Sequence, residues 1–183
     1  VSGLGLAPNP SGGTVAVALS GTASDAATGN NAIAAAEYVI DSGTPTPMTV
    51  NAAQVTAGIN ASIPAAVLGA LSEGAHVVSV HARDAAGNWG PATTVTLNID
   101  RTGPNAQNLS AAPNPNNGYQ AVNSSQQSVR VNATLNEVGA GPVPSNVTRG
   151  EAFIDTAGAT GTGMQMTPAD GQYNSPTEAA YVF

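Results

Sequence analysis

Leu4–Gly13 reads LGLAPNPSGG, and the same design returns at Leu109–Gly118 as LSAAPNPNNG, 105 residues later. In a chain of 183 residues, a repeat at that spacing predicts two units, the second shorter than the first. Two further matches follow in the same order. TVAVALSGTASD from Thr14 lies over QSVRVNATLNE around Ser128, which sets Val17 and Leu19 above Val129 and Val131. AEYVID at Ala36–Asp41 lies over GEAFID at Gly150–Asp155, the offset having grown to 114 through a longer loop around AGPVPSNVT. The boundary is placed in NIDRTGPN, where Gly103 and Pro104 interrupt an alternating strand, giving units 1–103 and 104–183.

Between these markers the apolar residues alternate with period two, which predicts strands rather than helices. Val15, Val17 and Leu19 are expected to face inward on one strand, and Ala36, Tyr38 and Ile40 on the next, with Glu37 and Asp41 turned to solvent. GAHVVSVHARD alternates through His76, Val78, Val80 and Ala82, and TTVTLNID closes the unit with Val95, Leu97 and Ile99. IPAAVLGALSEG reads as a strand end followed by a helical turn, and DAAGNWGP as a turn between the last two strands. A strand near Leu4 and a connector at Met48–Val50 bring the first unit to about seven strands in about 100 residues, the size of an immunoglobulin-like sandwich.

LSEGAHVVSVHARDAAGNWGP, the valine-rich strand after it and IDRTGP together resemble the closing strands and linker of bacterial immunoglobulin-like repeats. AEYVID is similar to their third strand. The resemblance implies an all-β fold of tandem immunoglobulin-like β-sandwiches, used in exported and surface proteins to space, present or stiffen other modules. It also implies that some members bind calcium at domain junctions or carbohydrate on a face. The Lys–Asn cross-links of some bacterial surface proteins are excluded, because the chain has no lysine; its cations are Arg83, Arg101, Arg130 and Arg149. The second unit stops at SPTEAAYVF, roughly where ASIPAAVL stands in the first, so its last two strands are expected to be missing and its apolar groove and sheet edge open.

Composition narrows the function classes. A net charge of -7 with four arginines offers no footprint for phosphate backbones or anionic lipid, which argues against nucleic acid and against the membrane surface as partners. With no cysteine there is neither disulfide nor thiolate metal site, and no run approaches a membrane span, so membrane insertion is not expected. The opening VSGLGLAPNP lacks the basic start and apolar core of a signal peptide, so the chain reads as a mature or excised fragment.

Catalytic constellations are sparse. His76 and His81 are five apart on one predicted strand and so on opposite faces; His76 is expected to bond backbone at a sheet corner, and His81 to lie on the surface. Without cysteine or lysine, a nucleophile–base–orienter triad is hard to assemble, and the 11 acids are scattered, with Glu37/Asp41 and Glu151/Asp155 recurring in register as outward strand residues. The candidate calcium ligands are Asp84, Asn88 and Asp100, oxygen donors next to the turn and the linker, although DAAGN is not a spaced DxDxDG loop. Trp89 is the candidate sugar-stacking residue, against a packed turn residue as the bland alternative. Glycosylation sequons stand at Asn60, Asn108, Asn123, Asn132 and Asn146, where a composition so rich in Asn, Ser and Thr yields roughly three or four by chance.

The expectation is therefore a non-catalytic spacer or adhesive module of an extracellular or cell-surface protein, with no required cofactor. Its expected partners are neighbouring domains of the same parent protein. The alternatives are a glycan- or ligand-binding accessory domain, and a filament subunit completed by strand addition from other copies.

Overall fold

The computed structural model describes residues 1–116 and 129–183 and divides into two compact units, Val1–Arg101 and Thr102–Phe183. The sequon at Asn123 and the start of the QSVRV match, through Ser128, lie outside the described residues. Both units are all-β with antiparallel strands, an arrangement compatible with β-sandwiches. Among the described residues no helix is long and apolar enough to cross a membrane.

Unit 1 contains β1 (Ser2–Ala7), β2 (Val17–Ser24), β3 (Ile33–Ile40), β4 (Thr46–Val50) and β5 (Thr56–Ile63), then α1 (Ala65–Ala70), β6 (Gly74–Asp84) and β7 (Thr93–Ile99). The strands run in the order β1-β2-β5-β4-β3-β6-β7. The sheet turns a corner at β4, which pairs Thr46–Met48 with β3 and then Thr49–Val50 with β5. This corner folds the two wings over one core. Val17 and Leu19 of β2, Ile59 and Ile63 of β5, Val78 and Val80 of β6, and Leu97 and Ile99 of β7 are each exposed by 1% or less. Leu68 of α1, also at 0%, plugs the same core.

The alternation expected for β3, β6 and β7 matches the buried faces, with one exception in β2. Val15 is 56% exposed, because the strand begins only at Val17 and residues 13–15 form a bend ahead of it.

Past β1 the chain crosses to the other wing. The Asn9 side chain acts as one rung of a strand there, its Oδ1 accepting from the Asn98 N–H at 2.8 Å and its Nδ2 donating to the Thr96 carbonyl at 2.8 Å. Ser11 continues the pairing, its N–H donating to the Asn98 carbonyl at 2.9 Å and its carbonyl accepting from the Asp100 N–H at 3.0 Å. The edge of β7 is thereby covered by a segment rich in proline, which leaves few free amides to recruit another strand.

Unit 2 carries β8 (Asn105–Ala112), β9 (Arg130–Asn136), β10 (Glu151–Ala152), β11 (Met164–Gln165), β12 (Thr167–Pro168) and β13 (Thr177–Val182). β12-β13-β9-β8 form one sheet and β10-β11 a second. Several backbone features of unit 1 return at the sequence offsets. The pairing of β1 shifts register between Ser2 and Gly5 around Gly3 (φ 61), and that of β8 between Gln107 and Ser110 around Asn108 (φ 51). Asp41 (φ 52) and Asp155 (φ 65) share the left-handed region that Asp tolerates better than most side chains. Cis bonds precede Pro8, Pro10, Pro113 and Pro115. MQMTP at Met164–Pro168 also repeats the corner of TPMTV: Met164–Gln165 pair with β10, Thr167–Pro168 with β13, and Met166 is buried between them as Met48 is in β4.

The core of unit 2 is thin. Ala133, Leu135, Val147, Met166 and Ala180 are buried, whereas β8 is exposed along its whole length, with Leu109 68% exposed.

These burials separate a substitution inside β2 from one just ahead of it. Leu19→Ala is expected to destabilise unit 1 by about 2–5 kcal/mol in urea denaturation, as a large-to-small change in a closed core does. Val15→Ala is expected to stay within about 0.5 kcal/mol, as surface changes do. Equal costs at the two positions would contradict the strand boundary.

Candidate functional site

Two loops of similar sequence meet at one end of unit 1: DAATGNN after β2, starting at Asp25, and DAAGNW after β6, starting at Asp84. Each aspartate folds its own loop. The Asp25 carbonyl accepts from the N–H groups of Thr28 (3.1 Å), Gly29 (3.2 Å) and Asn30 (2.9 Å). Its carboxylate takes the Thr28 hydroxyl and, at 2.8 Å, the Asn31 N–H. A Cβ at Gly29 would lie 3.0 Å from both the Asp25 Oδ2 and the Asn31 Nδ2, so a larger residue would push those side-chain ends aside by a few tenths of an ångström. In the second loop the Asp84 carboxylate accepts from the Asn88 N–H at 2.8 Å and from the Asn88 side-chain amide at 3.1 Å. Those donors hold its pKa below the usual carboxylate value, first the backbone amide of Asn88 and then its side chain.

Between the loops lies a cleft of about 510 Å³, lined on its polar side by Asp25, Thr28, Asn31, Asp84 and Asn88, and on its apolar side by Ile33, Ala82 and Trp89. Trp89 is 43% exposed. Its ring stacks on His81 at 4.2 Å and 20°, the Arg83 guanidinium lies 5.5 Å from its centroid, and His81 is anchored to Glu37 by a 2.7 Å hydrogen bond. His81 is thus half-buried in a stack and not a plain surface residue, and both it and Glu37 are turned toward a partner. The cleft presents preorganised carboxylate acceptors and amide donors beside an indole, and no arginine or histidine is among the described residues that line it. That chemistry suits hydrogen bonding to an uncharged polar molecule and repels an anion.

Of the three calcium candidates, the structure brings together two. Asp84 and Asn88 share the turn, but they bond each other. Asp100 follows β7 at the end where Gly74 pairs with Ile99, so the 11 residues of β6 put it about 30 Å from Asp84 at roughly 3.3 Å per residue. One ion cannot join all three. Among the described residues no three His, Cys, Asp or Glu side chains gather as a metal site.

The far end of β6 holds an arrangement that sequence reasoning missed. His76, 8% exposed, directs Nδ1 at the Asp41 Oδ2 (2.7 Å), while the Ser72 Oγ lies 3.5 Å from its Nε2. The set looks like a serine–histidine–aspartate triad, yet the Nε2 also sits 2.9 Å from the Ser72 carbonyl. Both ring nitrogens face acceptors, so the ring serves as a double donor, and a base needs its Nε2 lone pair aimed at the hydroxyl. His76 is a clamp. Its bond to backbone was expected; Asp41 was not, because the residue was read as an outward strand position. Asp41 instead stands just past β3 with φ 52, which turns its carboxylate back to His76 and to the Val77 N–H at 2.9 Å. The equivalent acids of the two units also differ in use. Glu151 has no histidine opposite it and accepts the Gly161 and Gly163 N–H groups, which lower its pKa.

No family model matches this chain, and neither does a curated protein or a solved structure.

Burial of His76 pulls its pKa down, but the bonds to Asp41 and to the Ser72 carbonyl outweigh this and raise it above 6.5. For Asp41, the bond from His76 and then that from Val77 lower the pKa below 3.8. A raised histidine contributes stability that is complete below 6.5 and is lost as pH rises through the folded value. A lowered aspartate contributes stability that is complete above 3.8 and is lost as pH falls through its folded value. The clamp is therefore strongest between those limits. Thermal melts should show a decline above that window in the native chain, and Asp41→Asn should flatten it; an unchanged alkaline slope in the variant would contradict the clamp. Melts in millimolar calcium and in excess chelator are expected to coincide, since the Asp84 oxygens are already engaged. A calcium-dependent rise abolished by Asp84→Asn would show the opposite.

Proposed function

We propose that this chain is a non-catalytic structural spacer and adhesive module of an extracellular or cell-surface protein, built from tandem immunoglobulin-like sandwiches. The observation that supports this most is the strand plan of unit 1, with β1-β2-β5 on one wing, β3-β6-β7 on the other and β4 as the corner. The bulge at Gly3, the left-handed Asp41 and the buried corner methionine all have counterparts in unit 2, at Asn108, Asp155 and Met166. Such a plan suits load. Ser11 pairs parallel with Ile99, so stretching unit 1 from its two ends shears that contact instead of peeling it.

A second reading, a glycan-binding accessory domain, is favoured by the cleft beside Trp89. Indole faces take the apolar side of a sugar while carboxylates and amides take its hydroxyls.

Two measurements separate the readings. Pulling the chain by its ends is expected to unfold unit 1 in one step of about 35 nm, the contour of roughly a hundred residues at about 3.6 Å each. Gradual yielding without such a step would sink the spacer reading. On a glycan array the chain is expected to stay blank; saturable binding that Trp89→Ala removes would establish the accessory domain in its place.

A further inference from the structure

The cleft between the Asp25 and Asp84 loops holds negative charge that nothing around it offsets. Among the described residues the ion pairs of unit 1 are His76–Asp41 and His81–Glu37, and neither involves Asp25 or Asp84. Val1 also lines the cleft, yet its ammonium makes no ion pair with either carboxylate. The two groups are fixed by uncharged donors only. Asp25 takes the Thr28 hydroxyl and the Asn31 N–H, and Asp84 takes the backbone and side-chain amides of Asn88. An ionised carboxylate has about four acceptor positions, so these bonds orient each group without exhausting it. The lowered pKa of Asp84 keeps it charged at neutral pH. Beside the acids lie Ile33, Ala82 and the indole of Trp89. An indole face attracts cations, as the Arg83 guanidinium 5.5 Å from its centroid shows, and Arg83 does not itself line the cleft.

We propose that this cleft binds an alkylammonium group, its charged head between Asp25 and Asp84 and its methylene stem against Ile33, Ala82 and Trp89. At about 510 Å³ the cleft has the size of a small-ligand pocket. A neutral sugar would satisfy the acceptors and leave two like charges uncompensated, whereas an ammonium does both. A bare divalent ion needs about six or more oxygens, and two carboxylates already bonded to their own loops do not supply them. The ammonium brings its own N–H donors and fits the acceptors as they stand. The net charge of -7 draws cations toward the protein. A second copy has no lysine side chain to offer, so the group comes from a lysine of another protein or from a free amine. The site lies wholly within unit 1 and stands apart from the spacer reading.

Trp89 is the one tryptophan of the chain, so its fluorescence reports on the cleft directly. Titrating the full chain with N-acetyl-lysine N-methylamide is expected to give a saturable change, with a dissociation constant on the order of a millimolar for a ligand of that size. Higher ionic strength should weaken it. The norleucine counterpart, which keeps the stem and lacks the ammonium, should not bind. Asp25→Asn and Asp84→Asn retain an oxygen for the Asn31 and Asn88 N–H groups, and each should weaken binding about tenfold, the loss of one charged acceptor. A cooperative melt confirms that each variant is folded, and the norleucine comparison needs no variant at all. Pentylamine separates the two sources. Tighter binding than the lysine derivative assigns the cleft to free amines, equal or weaker binding to a protein side chain, and either upholds the ammonium site. No saturable change with either amine, equal binding of the norleucine compound, or unaltered affinity in the folded variants overturns the proposal. Calcium producing the same fluorescence change at lower concentration than the amines would also overturn it, in favour of a metal site.

Discussion

The corner at β4 is the constraint on which unit 1 depends. Five residues change partners midway, Thr46–Met48 lying on β3 and Thr49–Val50 on β5, so a continuous run of hydrogen-bonded strands closes over its own apolar face. Without the corner the chain would form an open sheet with half its valines in water. Met48 marks the turn-over point and is 7% exposed, since the residue at the corner must face inward whichever wing its neighbours join. A flexible, unbranched side chain fits that shared position better than a β-branched one. The same residue type is buried at the same place in unit 2, as Met166.

Closure at the other side depends on a side chain in place of a strand. A wing ending in β7 would leave a row of free amides and carbonyls, the usual route to unwanted pairing. Asn9 supplies one donor and one acceptor with the spacing of a backbone rung, and the flanking prolines supply no amide that could extend the sheet outward. Asn9 is therefore a recognition group for a strand edge.

Strand positions and buried faces were legible because period-two alternation survives wherever one face is covered. Val78, Val80, Leu97 and Ile99 could be read directly, and the helical turn carrying Leu68 announced itself by a loss of alternation after Ile63. Val15 breaks the pattern because a valine preceding a strand has the same periodicity as one inside it; only the glycine pair before it, Gly12 and Gly13, signals that the strand has not yet begun. The corner match between TPMTV and MQMTP is faint in the sequence, since five residues with only Met and Thr in common carry little signal until pairing partners are known. The site was less legible. Asp41 and His76 are 35 apart, and their contact depends on a left-handed residue that alternation cannot foresee. The stack of His81 on Trp89 depends on how a hairpin folds back over its own strand. Asp100 was grouped with Asp84 because linker and turn are near in sequence, whereas an antiparallel pair places its two ends at opposite poles.

A chain with 11 acids, four arginines and no lysine has to stabilise its carboxylates by some means other than cations. The backbone does it. Asp25, Asp41, Glu73, Asp84, Glu151, Asp170 and Glu178 each accept at least one main-chain N–H. An amide donor stabilises a carboxylate over the length of one hydrogen bond and belongs to the fold itself, so each acid fixes a turn at the place where a lysine would only have offset its charge. Arg101 is used in a similar way, its guanidinium donating to the carbonyls of Leu68 and Leu71. Charge in this protein thus acts mainly as loop geometry. That explains why its candidate site can look like a ligand cleft at one end and a catalytic triad at the other, while the groups in both are already engaged in holding the loops and strands of unit 1 together.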